Sequence, residues 1–303
     1  MPNAELSWWV ETTEKCNLKC RFCYNDWRSL NSSLHEHADT GRLLDMFAEI
    51  ASLSPSPTIV LSGGDVSCHP DLAEIIARSP ANVRLGIVTN GEDISEDIVT
   101  ALAARPVSEM QFSIHSAGAD THNYLTGGGS LERSLRTALM ARDAGLTTSI
   151  VSVVTSRNIA DLEPLVYLAK RIGARKLVLN PVIRAGRATF YADLELENDA
   201  VLVDRLESAL AYGDKIGMPV TFGTPFGKEA ANLNERFCIG IDKTGHPKFV
   251  VDTSFAVKPC ANSDTVFHEF GKEGIDRQTL LRRNTAYWTD PVPAESCVCS
   301  QVA

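Results

Sequence analysis

From Leu6 to Pro181 short apolar runs rich in β-branched residues alternate with longer segments that carry apolar residues on one helical face. The first kind suits a strand buried in a sheet, the second an amphipathic helix lying against it. Strands are predicted over Leu6 to Thr13, Thr58 to Ser62, Val83 to Thr89, Glu109 to His115, Thr148 to Thr155 and Lys176 to Pro181. Helices are predicted between them over Thr40 to Ser52, Pro70 to Ser79, Ser95 to Ala104, Ser130 to Ala144 and Ile159 to Ile172. Asp71 near one helix start, and Gly145 and Gly173 beyond later helix ends, supply the punctuation. Such βα alternation builds a parallel sheet. Beyond Pro181 the pattern changes to a long helix, Asp199 to Ile216, and a short strand, Pro219 to Gly223. From Phe237 onward the chain reads as loop-like and cysteine-bearing, with no tandem repeat or low-complexity linker.

Composition sets the scale. A chain of 303 residues with 44% apolar content can bury one large core and a small appendage. Met1 to Trp9 lacks the basic and apolar regions of a signal peptide, and no stretch approaches the length of a membrane span. A soluble, cytoplasmic protein without a membrane partner is expected. The net charge of −9 comes from 29 basic and 38 acidic side chains, and the cations are dispersed rather than gathered in a stripe. Nucleic acid is therefore disfavoured as the main substrate. Eight cysteines in such a chain read as metal ligands, since disulfide frameworks belong to short secreted sequences.

Cys16, Cys20 and Cys23 form a C-x3-C-x2-C array directly after the first predicted strand. Three thiolates leave one iron of a four-iron cluster open, and chemistry can begin there. Zinc fits less well, because it takes four N/S ligands and favours paired spacings. The array, with Asn17 after the first cysteine and Phe22 before the third, resembles that of the radical S-adenosylmethionine (SAM) enzymes. In that family the open iron is chelated by the amine and carboxylate of SAM, and an aromatic residue before the third cysteine packs near the adenine. The resemblance implies an α/β fold, a partial (β/α)6 TIM-like barrel. Barrel enzymes keep their chemistry at the C-terminal ends of the strands, where the array falls.

The same resemblance assigns a SAM site. Ser62-Gly63-Gly64-Asp65 is similar to the family's Gly-Gly-Glu segment, with Asp in place of Glu, which meets the SAM amine. Glycines let backbone approach a ligand closely, and a carboxylate suits a cationic nitrogen. Thr89-Asn90-Gly91 resembles the family's T-N-G, placing Asn90 near the site. Ser113 and His115, two apart on the fourth strand, share a face and stand where the family contacts the ribose and carboxylate. Asn180-Pro181 leads into Arg184-Ala185-Gly186-Arg187-Ala188, similar to a P-x-G-R-A segment, so Arg184 or Arg187 could bind a carboxylate or phosphate. Glu11 shares the parity of Trp9 and Thr13 and is a further inward carboxylate, either substrate-binding or structural.

Cys238, Cys260, Cys297 and Cys299 follow the barrel in an arrangement that resembles the twitch form of the SPASM domain. Asp242-Lys243-Thr244-Gly245 is a turn signal, and Lys258-Pro259-Cys260 is similar to the family's P-C at a hairpin's end. These four thiolates suit a second [4Fe–4S] cluster, although the final C-x-C departs from C-x-x-C, and a structural zinc has a comparable ligand list. The expected division is 1–223 for the barrel and 224–303 for the twitch/SPASM-like domain.

One cysteine, Cys68, belongs to neither group. It reads either as an inert buried thiol or as a hydrogen-atom donor to a substrate radical. The resemblance implies reductive cleavage of SAM to a 5′-deoxyadenosyl radical that abstracts a substrate hydrogen, with electrons from a donor such as flavodoxin or ferredoxin. Return of hydrogen from Cys68 gives epimerisation, whereas loss of an electron to the second cluster gives dehydrogenation or a cross-link. Only 15 residues precede Cys16, which leaves no room for a leader-peptide domain. A small polar substrate is accordingly expected, an aminosugar, cyclitol or antibiotic intermediate, leaning to epimerisation, with dehydrogenation or modification of a ribosomal peptide as alternatives. An iron–sulfur electron carrier or zinc-binding module is the non-enzymatic one.

Overall fold

The computed structural model describes residues 6–25, 37–106, 109–197, 200–223, 226, 248–261, 263–272 and 274–289. Six parallel strands run in sequence order: β1 (Ser7–Thr13), β2 (Thr58–Gly63), β3 (Arg84–Thr89), β4 (Glu109–Ser113), β5 (Thr147–Val154) and β6 (Leu177–Pro181). They match the predicted strands to within two residues at most ends. The sheet then grows at both edges. β7 (Val220–Phe222) pairs parallel with β6, and β8 (Lys248–Val251) pairs parallel with β1. β9 (Ala256–Lys258) and β10 (His268–Glu269) follow β8 as antiparallel strands. The order β10-β9-β8-β1-β2-β3-β4-β5-β6-β7 has two free ends, so the sheet does not close.

Alternation sorts the two faces. Trp8, Val10, Ile59, Leu61, Leu85, Ile87, Met110, Phe112, Leu177 and Leu179 are buried on the face that meets the helices. Glu11, Ser62, Gln111, Ser113 and Asn180 have the opposite parity and are half-buried. The helices are α1 (Thr40–Leu53), α2 (Leu72–Arg78), α3 (Glu96–Ala103), α4 (Ala119–Thr126), α5 (Leu131–Asp143), α6 (Leu162–Arg171), α7 (Ala200–Ile216) and α8 (Arg277–Thr289). α1 shows why these segments fold so. Asp39 caps it by accepting from the Arg42 amide at 2.8 Å, and Leu43, Met46, Phe47 and Ile50 form its buried stripe.

The pattern did not reveal α4 or α8. α4 is a short, polar segment closed by Gly127 in the left-handed region, and α8 is rich in arginine without a strong apolar stripe. Phe249 of β8 stacks on Trp8 of β1 at 4.9 Å between centroids, so the segment around β8 shares the core of the main sheet. Among the described residues no helix is long and apolar enough to cross a membrane.

Candidate active site

The strand register between β1 and β2 shifts after Glu11, so the chain leaves β1 bent toward the loop that carries Cys16, Cys20 and Cys23. That loop is held by its backbone. The Gly64 amide donates to the Thr13 carbonyl at 2.6 Å, the Asp65 amide to the Lys15 carbonyl at 2.9 Å and the Arg21 amide to the Leu125 carbonyl at 2.8 Å. The Ala188 amide donates to the Cys23 carbonyl at 3.3 Å, and the Arg187 guanidinium to the Cys20 carbonyl at 3.4 Å. Two glycines sit where no side chain fits. A Cβ on Gly63 would meet the Thr13 carbonyl oxygen at 2.2 Å, and one on Gly127 would meet that of Lys19 at 2.2 Å. Both have positive φ, +124° and +66°. The three cysteines are half-buried and form no disulfide.

Asp65 is a brace. Its carboxylate is 3% exposed and accepts from the Ser67 amide (3.0 Å) and hydroxyl (2.7 Å), the Thr89 hydroxyl (3.0 Å) and the Asn90 amide (2.7 Å). These bonds tie the end of β2 to the end of β3. Burial raises its pKa, against the pull of the Asn90 and Ser67 donors. Cys68, in a 3-10 turn that Asp65 caps, directs its amide to the Asp65 carbonyl at 3.0 Å. Its thiol takes a hydrogen bond from the Asn17 backbone amide and lies near Cys16, and burial pushes its pKa up.

Asn90 follows β3, and its carbonyl and that of Gly91 accept from Ser134 and Thr137 of α5, each at 2.7 Å. Its side chain reaches Asn17 in the cysteine loop. Glu92 and Asp93 hold Arg133 of α5 by ion pairs of 3.2 and 2.5 Å. Sequence reasoning missed this acidic pair and Arg133, whose spacing of about 40 residues carries no local signal.

Phe22 and His115 pack together, ring edge to face, with centroids 4.4 Å apart. His115 is buried, and its Nδ1 accepts from the Val153 amide at 3.1 Å, which leaves the proton of the neutral ring on Nε2. Its own amide donates to His122 Nδ1 at 3.2 Å, and Asn158 donates to its carbonyl at 2.6 Å. Burial lowers both pKa values: His115 well below the ordinary range, His122 to about 4. A depressed histidine pKa contributes stability that is present above the unfolded value of 6.5 and lost as pH falls toward 4. For His122 the loss is about 3 kcal/mol. His122→Asn keeps an acceptor for the His115 amide, and the fall in melting temperature between pH 6.5 and 4 is expected to flatten. An unchanged slope would clear His122 of acid sensitivity.

The remaining predicted residues divide. Ser113 ends β4 and Asn180 lies on β6, both half-buried on the face away from the helices. Arg184 is exposed and pairs with Glu195 at 3.0 Å, so of the two arginines it is Arg187 that reaches the cysteine loop. Cys260 is half-buried just beyond β9. Cys238, Cys297, Cys299 and the Asp242–Gly245 turn lie outside the described residues.

The cysteine loop fits an iron–sulfur cluster by its donor set. Cys16 Sγ has two N–H groups in reach, the Leu18 amide at 3.4 Å and the Asn90 side chain at 4.0 Å, and faces Asn17 Oδ1 at 3.8 Å; the two donors would remain to a thiolate bound to iron. Among the described residues no three cysteine, histidine or carboxylate side chains gather around one metal ion. A cubane needs no such gathering, because each thiolate binds its own iron.

A model of the radical SAM superfamily matches residues 10–169, more than half of the chain. The protein belongs to that superfamily. A [4Fe–4S] cluster and SAM are the cofactors that membership brings. This radical SAM protein is 32% identical to an AdoMet-dependent heme synthase of Methanosarcina barkeri over 171 residues, 56% of this chain and 48% of the relative. It is 30% identical to a PqqA peptide cyclase of Methylocella silvestris over 170 residues, 55% of this chain and 45% of that one. The matches therefore span about half the length of these curated relatives. In structure it resembles Streptococcus suis SuiB, crystallised with its precursor peptide SuiA, with a TM-score of 0.71 at 14% identity over 99% of this chain and 71% of that one. The likeness to SuiB is one of fold.

Proposed function

We propose that this radical SAM protein modifies a peptide by removing a hydrogen atom from it and forming a new bond within it. The 30% identity to a PqqA peptide cyclase carries the choice of substrate and displaces the small polar molecule expected from the sequence. When bound and reduced, the cluster supplies an electron that cleaves SAM to the 5′-deoxyadenosyl radical.

The chain's own residues bind, orient and shield. Cys16, Cys20 and Cys23 are the assigned cluster ligands. Phe22, the Gly63 and Gly64 backbone, Ser113 and the Nε2–H of His115 would line the SAM site. Asp65 and Arg187 would shape it from behind, since their polar groups are spent on β3 and on the cysteine loop. Glu11, Gln111 and Asn180, half-buried on the sheet face away from the helices, would meet the substrate. Cys260 with Cys238, Cys297 and Cys299 would hold a second [4Fe–4S] cluster, suited to accept the electron that bond formation releases together with a proton lost to solvent, and a flavodoxin or ferredoxin would deliver the first electron.

The oxidative outcome is preferred to epimerisation because the 30% identical relative is named a peptide cyclase, and closing a ring within a peptide removes two hydrogen atoms. Anaerobically reconstituted protein with dithionite, SAM and a peptide encoded beside its gene should yield 5′-deoxyadenosine and a peptide lighter by two hydrogen atoms. A product of unchanged mass that gains one deuterium in deuterium oxide, and whose formation stops in Cys68→Ala, would instead establish epimerisation. No change in any neighbouring peptide, with turnover of a heme precursor, would move the assignment to heme synthesis, the activity named for the Methanosarcina relative.

A further inference from the structure

The radical SAM superfamily accounts for the three cysteines, and it leaves unexplained why a charged cluster on α5 is wired to one of them. Arg133 donates to Asp93 Oδ1 at 2.5 Å and to the Glu92 carbonyl at 2.8 Å, and its Nε pairs with Glu92 Oε2 at 3.2 Å. Glu92 is buried, and its other oxygen accepts from the Ser130 amide at the start of α5. The second oxygen of Asp93 accepts from Asn17 Nδ2 at 2.7 Å. Asn17 Oδ1 in turn accepts from Asn90 Nδ2 at 2.7 Å.

The direction of this chain is determined at its far end. Asn90 Oδ1 accepts from the Glu92 amide at 2.8 Å, so the amide group of Asn90 is not free to flip, and its NH2 must face the cysteine loop. One of its hydrogens goes to Asn17, and the other points to Cys16 Sγ, 4.0 Å away. The Leu18 amide donates to the same sulfur at 3.4 Å. Both hydrogens of Asn90 Nδ2 are thereby assigned, one to Asn17 Oδ1 and the other toward the Cys16 sulfur.

We infer that Asn90, oriented through Asn17, Asp93 and Arg133, sets the reduction potential of the cluster by hydrogen bonding to the Cys16 thiolate. Taking up one electron, in the step from the 2+ to the 1+ cluster, increases the negative charge on the sulfurs. A donor to sulfur stabilises that state and raises the potential. Arg133 acts as a positioning residue, since it touches neither the cysteine nor the substrate. The inference rests on Cys16 as a cluster ligand and is independent of the substrate.

The test is an EPR-monitored redox titration of the reconstituted protein without SAM, with dithionite as the one-electron reductant and iron content measured alongside. Asn90→Leu removes the donor at similar volume, and at a fixed potential the ratio of reduced to oxidised cluster is expected to fall at least about threefold. Arg133→Met should shift the midpoint in the same direction by less, and Arg133→Lys should restore it. A purely structural role would lower iron content or melting temperature and leave the midpoint of the loaded fraction where it was. An unchanged midpoint in Asn90→Leu overturns the inference. Should that variant take up no iron, an unchanged midpoint in Arg133→Met overturns it instead. Full iron content in Cys16→Ala would show that the ligand assignment itself has failed.

Discussion

Gly63→Ala is expected to bind only a small fraction of the iron that the wild-type protein holds, while the barrel still folds. The methyl group would sit 2.2 Å from the Thr13 carbonyl oxygen, and the obstacle is backbone that cannot rotate away as a side chain could. The φ of +124° adds strain that any L side chain suffers, on the order of 1–3 kcal/mol. Thr13 is the last residue of β1, so its displacement carries the cysteine loop with it and breaks the bond from the Gly64 amide. Iron and sulfide assays after anaerobic reconstitution read the first effect, and thermal unfolding reads the second. Gly128→Ala is the control, since Gly128 has φ +122° but nothing within 4 Å of the added Cβ. It should show the strain without the loss of iron. Wild-type iron in Gly63→Ala would mean that the loop is seated elsewhere.

Asp65→Ala should cost stability first and SAM binding second. It strands the Asn90 and Ser67 amides and the Ser67 and Thr89 hydroxyls around an empty buried site. Orphaned donors cost about 1–3 kcal/mol each and do not add fully, so a total of roughly 3–5 kcal/mol follows, or on the order of 10 °C in melting temperature. Asp65→Asn keeps one acceptor oxygen and should fall between the two. The pH dependence has the opposite sign to that of His122. Because the folded pKa of Asp65 is raised, its contribution is present below the unfolded value of 3.8 and is lost as pH rises through the folded pKa. Replacing Asp65 should therefore steepen the net gain of stability with pH above 3.8. A variant that melts like wild type but no longer binds SAM would make the carboxylate a ligand rather than a brace.

Several elements are legible in the amino-acid sequence alone. The strand pattern located β1 to β6 because buried parallel strands leave continuous apolar runs, and the long helix after Pro181 and the short β7 were visible by the same signals. The pairings were not legible. Nothing local says that β8 lies parallel to β1, on the side away from β2, because that contact joins residues far apart in sequence. α4 escaped notice for its polarity, yet the run Gly127-Gly128-Gly129 behind it was a signal for a close backbone approach, and Gly127 makes one at Lys19.

At the site the same division holds with more consequence. Cys16, Cys20 and Cys23 lie within eight consecutive residues, so the kind of chemistry was written in one loop whose spacing is covalent. Membership of the radical SAM superfamily could be read from it. The tertiary structure decided what surrounds those thiols: Asp65 turned inward to hold β3, Arg187 rather than Arg184 set on the loop, and Asn90 aimed at Cys16 by a chain that ends on Arg133. Ligand spacing survives in sequence because bonded geometry enforces it. The orientation of a donor toward a sulfur depends on hydrogen-bond partners from other elements, and only folding brings those together.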